Sequence, residues 1–245
     1  MRVSLYVTCM VDQCWPAVGL AAAALLEHCD CEVLYDPQQT CCGQPFCNSG
    51  YPAAAVPLAQ KVITEFEQSG AEALVAPSGS CAAQLHHYPD LFHNDAGWRA
   101  RAEHLAERTF ELSQFLVRRG MSKAPGQFQG RVGWHDGCHG LRDLGVREQP
   151  RQLLRSMPGV QFVELAAADA CCGFGGTFSV KLPELSVAIA DHKLDAVQKA
   201  SIDVLASGDT SCLLHLRGRL ERRAIPVRTM HLAEVLAHGL PGVTG

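Results

Sequence analysis

The sequence predicts an α/β fold made of two duplicated βαβ-type halves with mostly parallel sheets, and cysteine sites at the carboxyl ends of the strands. Three observations carry that expectation. Apolar strand-like runs alternate with helix-like segments, the pattern that yields βαβ units. A four-cysteine spacing occurs twice. Cys9 is followed 32 positions later by Cys41-Cys42, and Cys81 lies 40 beyond Cys41; Cys138 is followed after 33 by Cys171-Cys172, and Cys212 lies 41 beyond Cys171. Each group also lies just past apolar strand-like runs, where open α/β sheets place their ligand sites.

In chain order, "SLYVTC" (Ser4–Cys9) reads as a strand ending in a cysteine. Ala17–His28 reads as a helix opened by Pro16, since proline suits a first turn. Its apolar stretch Ala17–Leu26 resembles a signal-peptide core, but Asp12, Gln13 and Trp15-Pro16 precede it and no cleavage motif follows. Ten apolar residues are also too few to span a bilayer. The expectation is a buried helix in a cytoplasmic protein with no transmembrane segment. "CEVLYD" (Cys31–Asp36) is a strand, Ala53–Gln68 a helix, and "ALVAPSGSC" (Ala73–Cys81) a strand that breaks at Pro77 before Ser-Cys. Trp98–Gly120 is expected as one long connecting helix with Leu105, Leu112, Phe115 and Leu116 on one face, and Ser122–Gly130 as a linker. That divides the chain into domains at 1–125 and 126–245. The second half repeats the order with "RVGWHDGC" (Arg131–Cys138), a helix over Gln149–Ser156, "VQFVEL" (Val160–Leu165), a helix over Pro183–Lys199 and "VLASGDTSC" (Val204–Cys212). A strand and closing helix follow in Ile225–Gly239.

A net charge of −4 and the absence of Lys/Arg runs exclude a nucleic-acid partner as an expectation. Twelve cysteines in a reducing compartment point to metal or redox chemistry rather than disulfides. Duplication selects among them. Cys9, Cys41, Cys42, Cys81, Cys138, Cys171, Cys172 and Cys212 pair between copies and are the candidate metal ligands. Cys14, Cys29, Cys31 and Cys47 fall opposite Asp143, Pro158, Val160 and Thr177, and are expected as buried small apolar residues. Structural zinc favours C-x2-C, which is absent, whereas adjacent thiolates splay toward a larger iron–sulfur cluster. Gly43, Gly173, Gly175 and Gly176 allow backbone N–H groups to face such an anionic cofactor. Gly173–Gly176 lack the G-x-G-x-x-G spacing of a nucleotide loop. His135, Asp136, His139 and Arg142 flank Cys138 and are expected to support the cluster, or alternatively to bind a carboxylate or shuttle a proton. Lys181, shortly after the second pair, is expected to compensate the charge of an anionic cluster or alternatively to bind a small acid. His86, His87 and His104 are expected to be exposed.

"CCGQPFCNSGY" (Cys41–Tyr51), "PSGSC" (Pro77–Cys81), "CCGFGGTFSVK" (Cys171–Lys181), "SCLLHLRGRL" (Ser211–Leu220) and "MHLAEVL" (Met230–Leu236) resemble the CCG domain. That domain occurs twice in the cysteine-rich component of heterodisulfide reductase and in glycolate oxidase iron–sulfur subunits. The likeness is nearest to the two-copy family of lactate utilisation protein A, also called YkgE, and covers essentially the whole chain. The resemblance implies an iron–sulfur electron-transfer subunit of a complex that oxidises L-lactate to pyruvate without a nicotinamide cofactor. It also implies two 4Fe-4S clusters, cubane or non-cubane, and companion iron–sulfur subunits, the lactate utilisation proteins B and C, with L-lactate a candidate ligand. The heterodisulfide pattern ends in C-x2-C, and Gln84 and His215 stand where its further cysteine would be, so His215 is a candidate ligand. A CCG-type thiol–disulfide reductase and a zinc-binding scaffold are the alternatives.

Overall fold

The computed structural model describes residues 1–243. The first half contains β1 (Arg2–Leu5), α1 (Cys9–Cys14), α2 (Ala17–His28), β2 (Glu32–Leu34), α3 (Gln44–Asn48), α4 (Pro52–Ser69), β3 (Ala73–Ala76), α5 (Gly79–His86), α6 (Tyr88–Leu91), α7 (Ala96–Ala106), β4 (Thr109–Glu111) and α8 (Leu112–Arg118). The second contains β5 (Gly130–His135), α9 (Cys138–Asp143), α10 (Glu148–Ser156), β6 (Val160–Val163), α11 (Thr177–Lys181), α12 (Pro183–Lys199), β7 (Val204–Ser207), α13 (Thr210–Arg222), β8 (Arg228–His231) and α14 (Leu232–Leu236).

Each half is a four-stranded, all-parallel sheet, ordered β2-β1-β3-β4 and β6-β5-β7-β8. Val3 sits opposite Val33 and Ala73; Val132 sits opposite Phe162 and Val204. The strands β3 (ALVA) and β7 (VLAS) are buried throughout, as expected of strands covered by helices on both faces. The same buried positions recur in the long outer helices. Ala55, Ala59, Val62, Ile63 and Phe66 of α4 match Ser186, Ala190, Lys193, Leu194 and Val197 of α12, each 131 positions later.

The continuous helix expected over Trp98–Gly120 is not formed. α7 ends at Ala106, and Thr109–Glu111 pairs with β3 instead, Leu74 opposite Thr109. The open edge of β3 supplies backbone partners that a helix through this point would forgo, and β-branched Thr109 and aromatic Phe110 suit a strand. Glu111 then starts α8 by accepting hydrogen bonds from Ser113 N and Gln114 N. "TFELSQFL" (Thr109–Leu116) is thereby the first half's version of "TMHLAEVL" (Thr229–Leu236), so the duplication reaches one strand and one helix further than expected.

One apolar core lies between the sheets. It joins Leu25 and Leu26 of α2, Phe115 of α8, Leu153 of α10 and Leu232 of α14 with Val3 and Trp134 from the two sheets. Smaller cores lie under the outer helices of each half. Reciprocal bonds link the halves: Gln114 Nε2 donates to Leu144 O (2.8 Å), and Trp15 Nε1 donates to Glu234 Oε1 (2.9 Å). Gln114 and Glu234 are equivalent positions, as are Trp15 and Leu144, so the two halves face each other with two-fold character. α5 crosses α9 where Gly79 meets Gly140; a Cβ on Gly79 would lie 3.0 Å from Gly140 Cα. Among the described residues no helix is long and apolar enough to cross a membrane.

Candidate metal centres

The strand order reverses direction between β1 and β3, and between β5 and β7, which is where such sheets open a crevice at their carboxyl edge. In the first half Cys9 opens α1 just past β1, Cys41-Cys42 occupy the loop after β2, and Cys81 is the third residue of α5. Ser78 caps α5 by accepting the Cys81 N–H at 3.3 Å, which fixes that sulfur at the helix start. The four sulfurs form a chain. Cys41 neighbours Cys42 and Cys9, and Cys42 Sγ lies 3.5 Å from Cys81 Sγ. The neighbouring thiols of Cys42 and then Cys9 pull the Cys41 thiol down to about 3, while proximity to Cys41 pushes Cys9 and Cys42 up. Two buried phenols fix the loop: Tyr6 Oη donates to Thr40 O (2.5 Å) and Tyr88 Oη to Cys42 O (3.0 Å). Burial above all, and then the thiols, keep both phenols protonated.

The second half repeats the arrangement. Cys138 opens α9, Cys171-Cys172 follow β6, and Cys212 is again the third residue of its helix, α13, capped by Asp209 through Ser211 N. Cys172 Sγ lies 3.0 Å from Cys212 Sγ. Gly173 N–H donates to Cys171 Sγ (3.3 Å) and Phe174 N–H to Cys172 Sγ (3.5 Å). Backbone donors aimed at sulfur favour the anionic form that binds metal. Cys138 is pushed up by burial and then by Cys171, and Cys171 by its bond to Cys172 and then by burial. The eight paired cysteines thus gather into two groups of four.

Gly43 and Gly173 make the turns possible, with φ of +84° and +88°. A Cβ would lie 2.9 Å from Ala55 Cβ at Gly43, and 2.4 Å from Ser186 O at Gly173. Gly175 and Gly176 also have positive φ and carry the longer second loop into α11.

The unpaired cysteines divide. Cys31 is buried and Cys29 packs on the central core, as expected. Cys14 is exposed, contrary to expectation, because it ends a helix of six residues at the surface. Cys47 is half-buried, and its sulfur accepts from Gln84 Nε2 at 3.4 Å. His215 turns Nε2 to Ser186 Oγ (3.2 Å). His139 pairs with Asp143 (2.8 Å), and buried Asp136 with Arg151 (2.8 Å), which also binds Glu164. His86, His87 and His104 are exposed.

Two residues at the second group matter beyond those expectations. His135 is buried with neither ring nitrogen hydrogen-bonded, and a ring nitrogen and the sulfurs of Cys172 and Cys212 all lie within 4.8 Å of one another. Lys193, fully buried, donates Nζ to the carbonyls of Ala167 and Ala168; burial lowers it to about 8, while Asp136, Asp169 and the two inner thiols hold it up. Lys193 was legible as the one charged residue in an apolar helical stripe whose first copy has Val62. Soft sulfur donors in contact, N–H groups aimed at them and an orphaned imidazole fit a metal or metal–sulfur group.

Comparison with known proteins agrees with the duplication. The family model described as "Cysteine-rich domain", CCG, matches residues 3–86 and again 132–217. A protein named "Lactate utilization protein A" from an Exiguobacterium species is 45% identical over 240 residues, 98% of each chain. One of the same name from Macrococcus caseolyticus is 44% identical over 245 residues, 100% of this chain and 99% of the other. Among solved structures, glutamate racemase RacE1 from Bacillus anthracis aligns over 97% of this chain and 78% of the other at 15% identity, and its TM-score of 0.36 supports no functional reading.

Proposed function

The chain belongs to the lactate utilisation protein A family of doubled cysteine-rich CCG domains, and from that premise we propose that it is the iron–sulfur electron-transfer subunit of an L-lactate oxidising system. The single observation behind this reading is the pair of equivalent four-sulfur groups, each at the carboxyl edge of its own sheet.

Oxidation of L-lactate to pyruvate releases two electrons and two protons. An iron–sulfur cluster, when bound, supplies one-electron transfer. Two such sites in one chain match the electron count, and the electrons then pass to the companion iron–sulfur proteins B and C of lactate utilisation. The chain's own residues hold and tune. The eight cysteines are the proposed ligands; Tyr6 and Tyr88 fix the first loop; Gly173 and Phe174 N–H groups stabilise anionic sulfur in the second. Burial of Cys42, Cys81, Cys172 and Cys212 keeps water from the inner sulfurs, while Cys171 is exposed on the side from which an electron can leave. Phe46 and Tyr51 after the first pair, and Val180, Leu182 and Leu185 after the second, are exposed apolar side chains suited to a partner. This reading is of a cytoplasmic protein.

The test is iron and acid-labile sulfide content with an EPR spectrum on anaerobically purified protein. About eight iron atoms per chain support two 4Fe-4S groups. Stoichiometric zinc without iron overturns the proposal. With the companion proteins present, lactate-dependent reduction is expected to be lost on Cys→Ser substitution at any of the eight positions.

A further inference from the structure

Among the differences around the two cysteine groups, one falls just before the first cysteine of each. Three positions before the first cysteine of each motif stand Tyr6 and His135, the same point on the way out of β1 and β5. Tyr6 is satisfied, since its hydroxyl donates to Thr40 O. His135 is not. It is 1% exposed, and neither Nδ1 nor Nε2 has a hydrogen-bond partner. The Ala168 carbonyl, which faces the ring, already accepts from Asp136 N (2.9 Å) and Lys193 Nζ (2.7 Å).

Buried polar atoms are seldom left unpaired, so two on one ring need a reason. The geometry supplies it: an imidazole nitrogen within 4.8 Å of both Cys172 and Cys212 sulfurs, the two sulfurs 3.0 Å apart. Imidazole nitrogen is a good ligand for iron and zinc alongside thiolate. We propose that His135 is a nitrogen ligand of the second metal centre, which the first centre lacks because Tyr6 occupies the equivalent position. This rests on the reading that the cysteine groups hold iron. It assigns ligation to His135 rather than to His215, whose Nε2 is spent on Ser186 Oγ. Replacement of a thiolate-only shell by a mixed one raises a cluster's reduction potential, and buried Lys193 acts in the same direction where the first half has Val62.

The experiment is pulsed EPR on anaerobic protein poised at successive potentials and grown with [15N]histidine, with iron measured on the same samples. His135→Tyr installs the side chain that the equivalent position already accepts, and His135→Gln serves if it fails to fold. The expected result is a histidine-nitrogen coupling on one of two iron signals in the natural protein. The coupling should vanish in His135→Tyr or His135→Gln, persist in His215→Asn, and leave the other signal unchanged. Iron-loaded protein without histidine coupling overturns the inference and leaves the iron reading standing. So does coupling that survives at position 135 or disappears with His215→Asn. A chain that binds no iron overturns both, and the iron measurement tells the two failures apart.

Discussion

The first and second cysteine groups share a frame and differ in what surrounds it. Four sulfurs arise from the same three loops, with a glycine of positive φ after each pair and a capped helix before each last cysteine. Around them, Tyr6, Ala55, Val62 and Gln84 of the first half become His135, Ser186, Lys193 and His215 of the second. The first pocket has Ala55 and Val62 where the second has Ser186 and Lys193, and the phenols that hold its loop are satisfied. The second holds a buried amine and an orphaned imidazole. The geometry that gathers sulfur is thus separate from the electrostatics that tune it, and a duplicated chain can fix one while varying the other.

The comparison is tested most severely at the inner thiols. Cys42→Ser and Cys172→Ser are each expected to remove the iron of their own half only, leaving about half the iron and one of two EPR signals. Total iron loss from either single change would show that the halves do not load separately. The next largest effect belongs to the second half alone. Arg151 bridges Asp136, itself 1% exposed, to Glu164, and Ala22 takes its place in the first half. Arg151→Ala strands a buried carboxylate and should cost about 3–5 kcal/mol in urea unfolding, much of it recovered in the Asp136→Asn double variant. No recovery would point to lost packing rather than charge.

A third contrast lies at the helix caps. Glu111 and His231 hold equivalent positions at the starts of α8 and α14, both buried, with opposite consequences of pH. Burial raises Glu111 from 4.5 to about 7, so its share of stability is full below pH 4.5 and lost as pH rises to about 7. Burial lowers His231 from 6.5 to about 4, so its share is full above pH 6.5 and lost as pH falls to about 4. The two slopes oppose each other in the natural chain. Glu111→Gln should leave stability rising with pH between 4 and 6.5, and His231→Asn should leave it falling between 4.5 and 7, each by on the order of 3 kcal/mol. Slopes of the same sign in both variants would refute the assignment.

The smallest effect separates the two turns. Gly173→Ala drives a methyl into a backbone oxygen at 2.4 Å and should cost about 2–3 kcal/mol. Gly43→Ala meets a side-chain methyl at 2.9 Å and should cost about 1–2 kcal/mol. Thermal unfolding of the two variants checks the order.

Most of this frame was legible. Repeated spacing singled out the eight cysteines that the fold brings to the two sheet edges, because strands of a duplicated sheet bring equal offsets to equal places. The helices Ala17–His28 and Pro183–Lys199 run as expected to the residue. β4 was not legible. Leu105, Leu112, Phe115 and Leu116 keep a helical period across it, and a three-residue strand exists only because β3 offers an open edge, which local sequence does not encode. Cys14 misled for a related reason: its exposure follows from α1 stopping after six residues. His135 was visible as a residue near the site, but its importance depends on hydrogen bonds it fails to make, which only the fold decides.

The bonds from Gln114 to Leu144 and from Trp15 to Glu234 join equivalent positions of the two halves, as contacts in a symmetric dimer do, though the donor has changed sides. A dimer of one half would carry two identical cysteine sites, and every substitution would alter both at once. Covalent fusion removes that constraint. Tyr6 can then be one residue and His135 another, and the two cysteine sites no longer have to be alike. The linker of residues 119–129 costs the chain little structure. What it confers is the freedom of each half to vary alone.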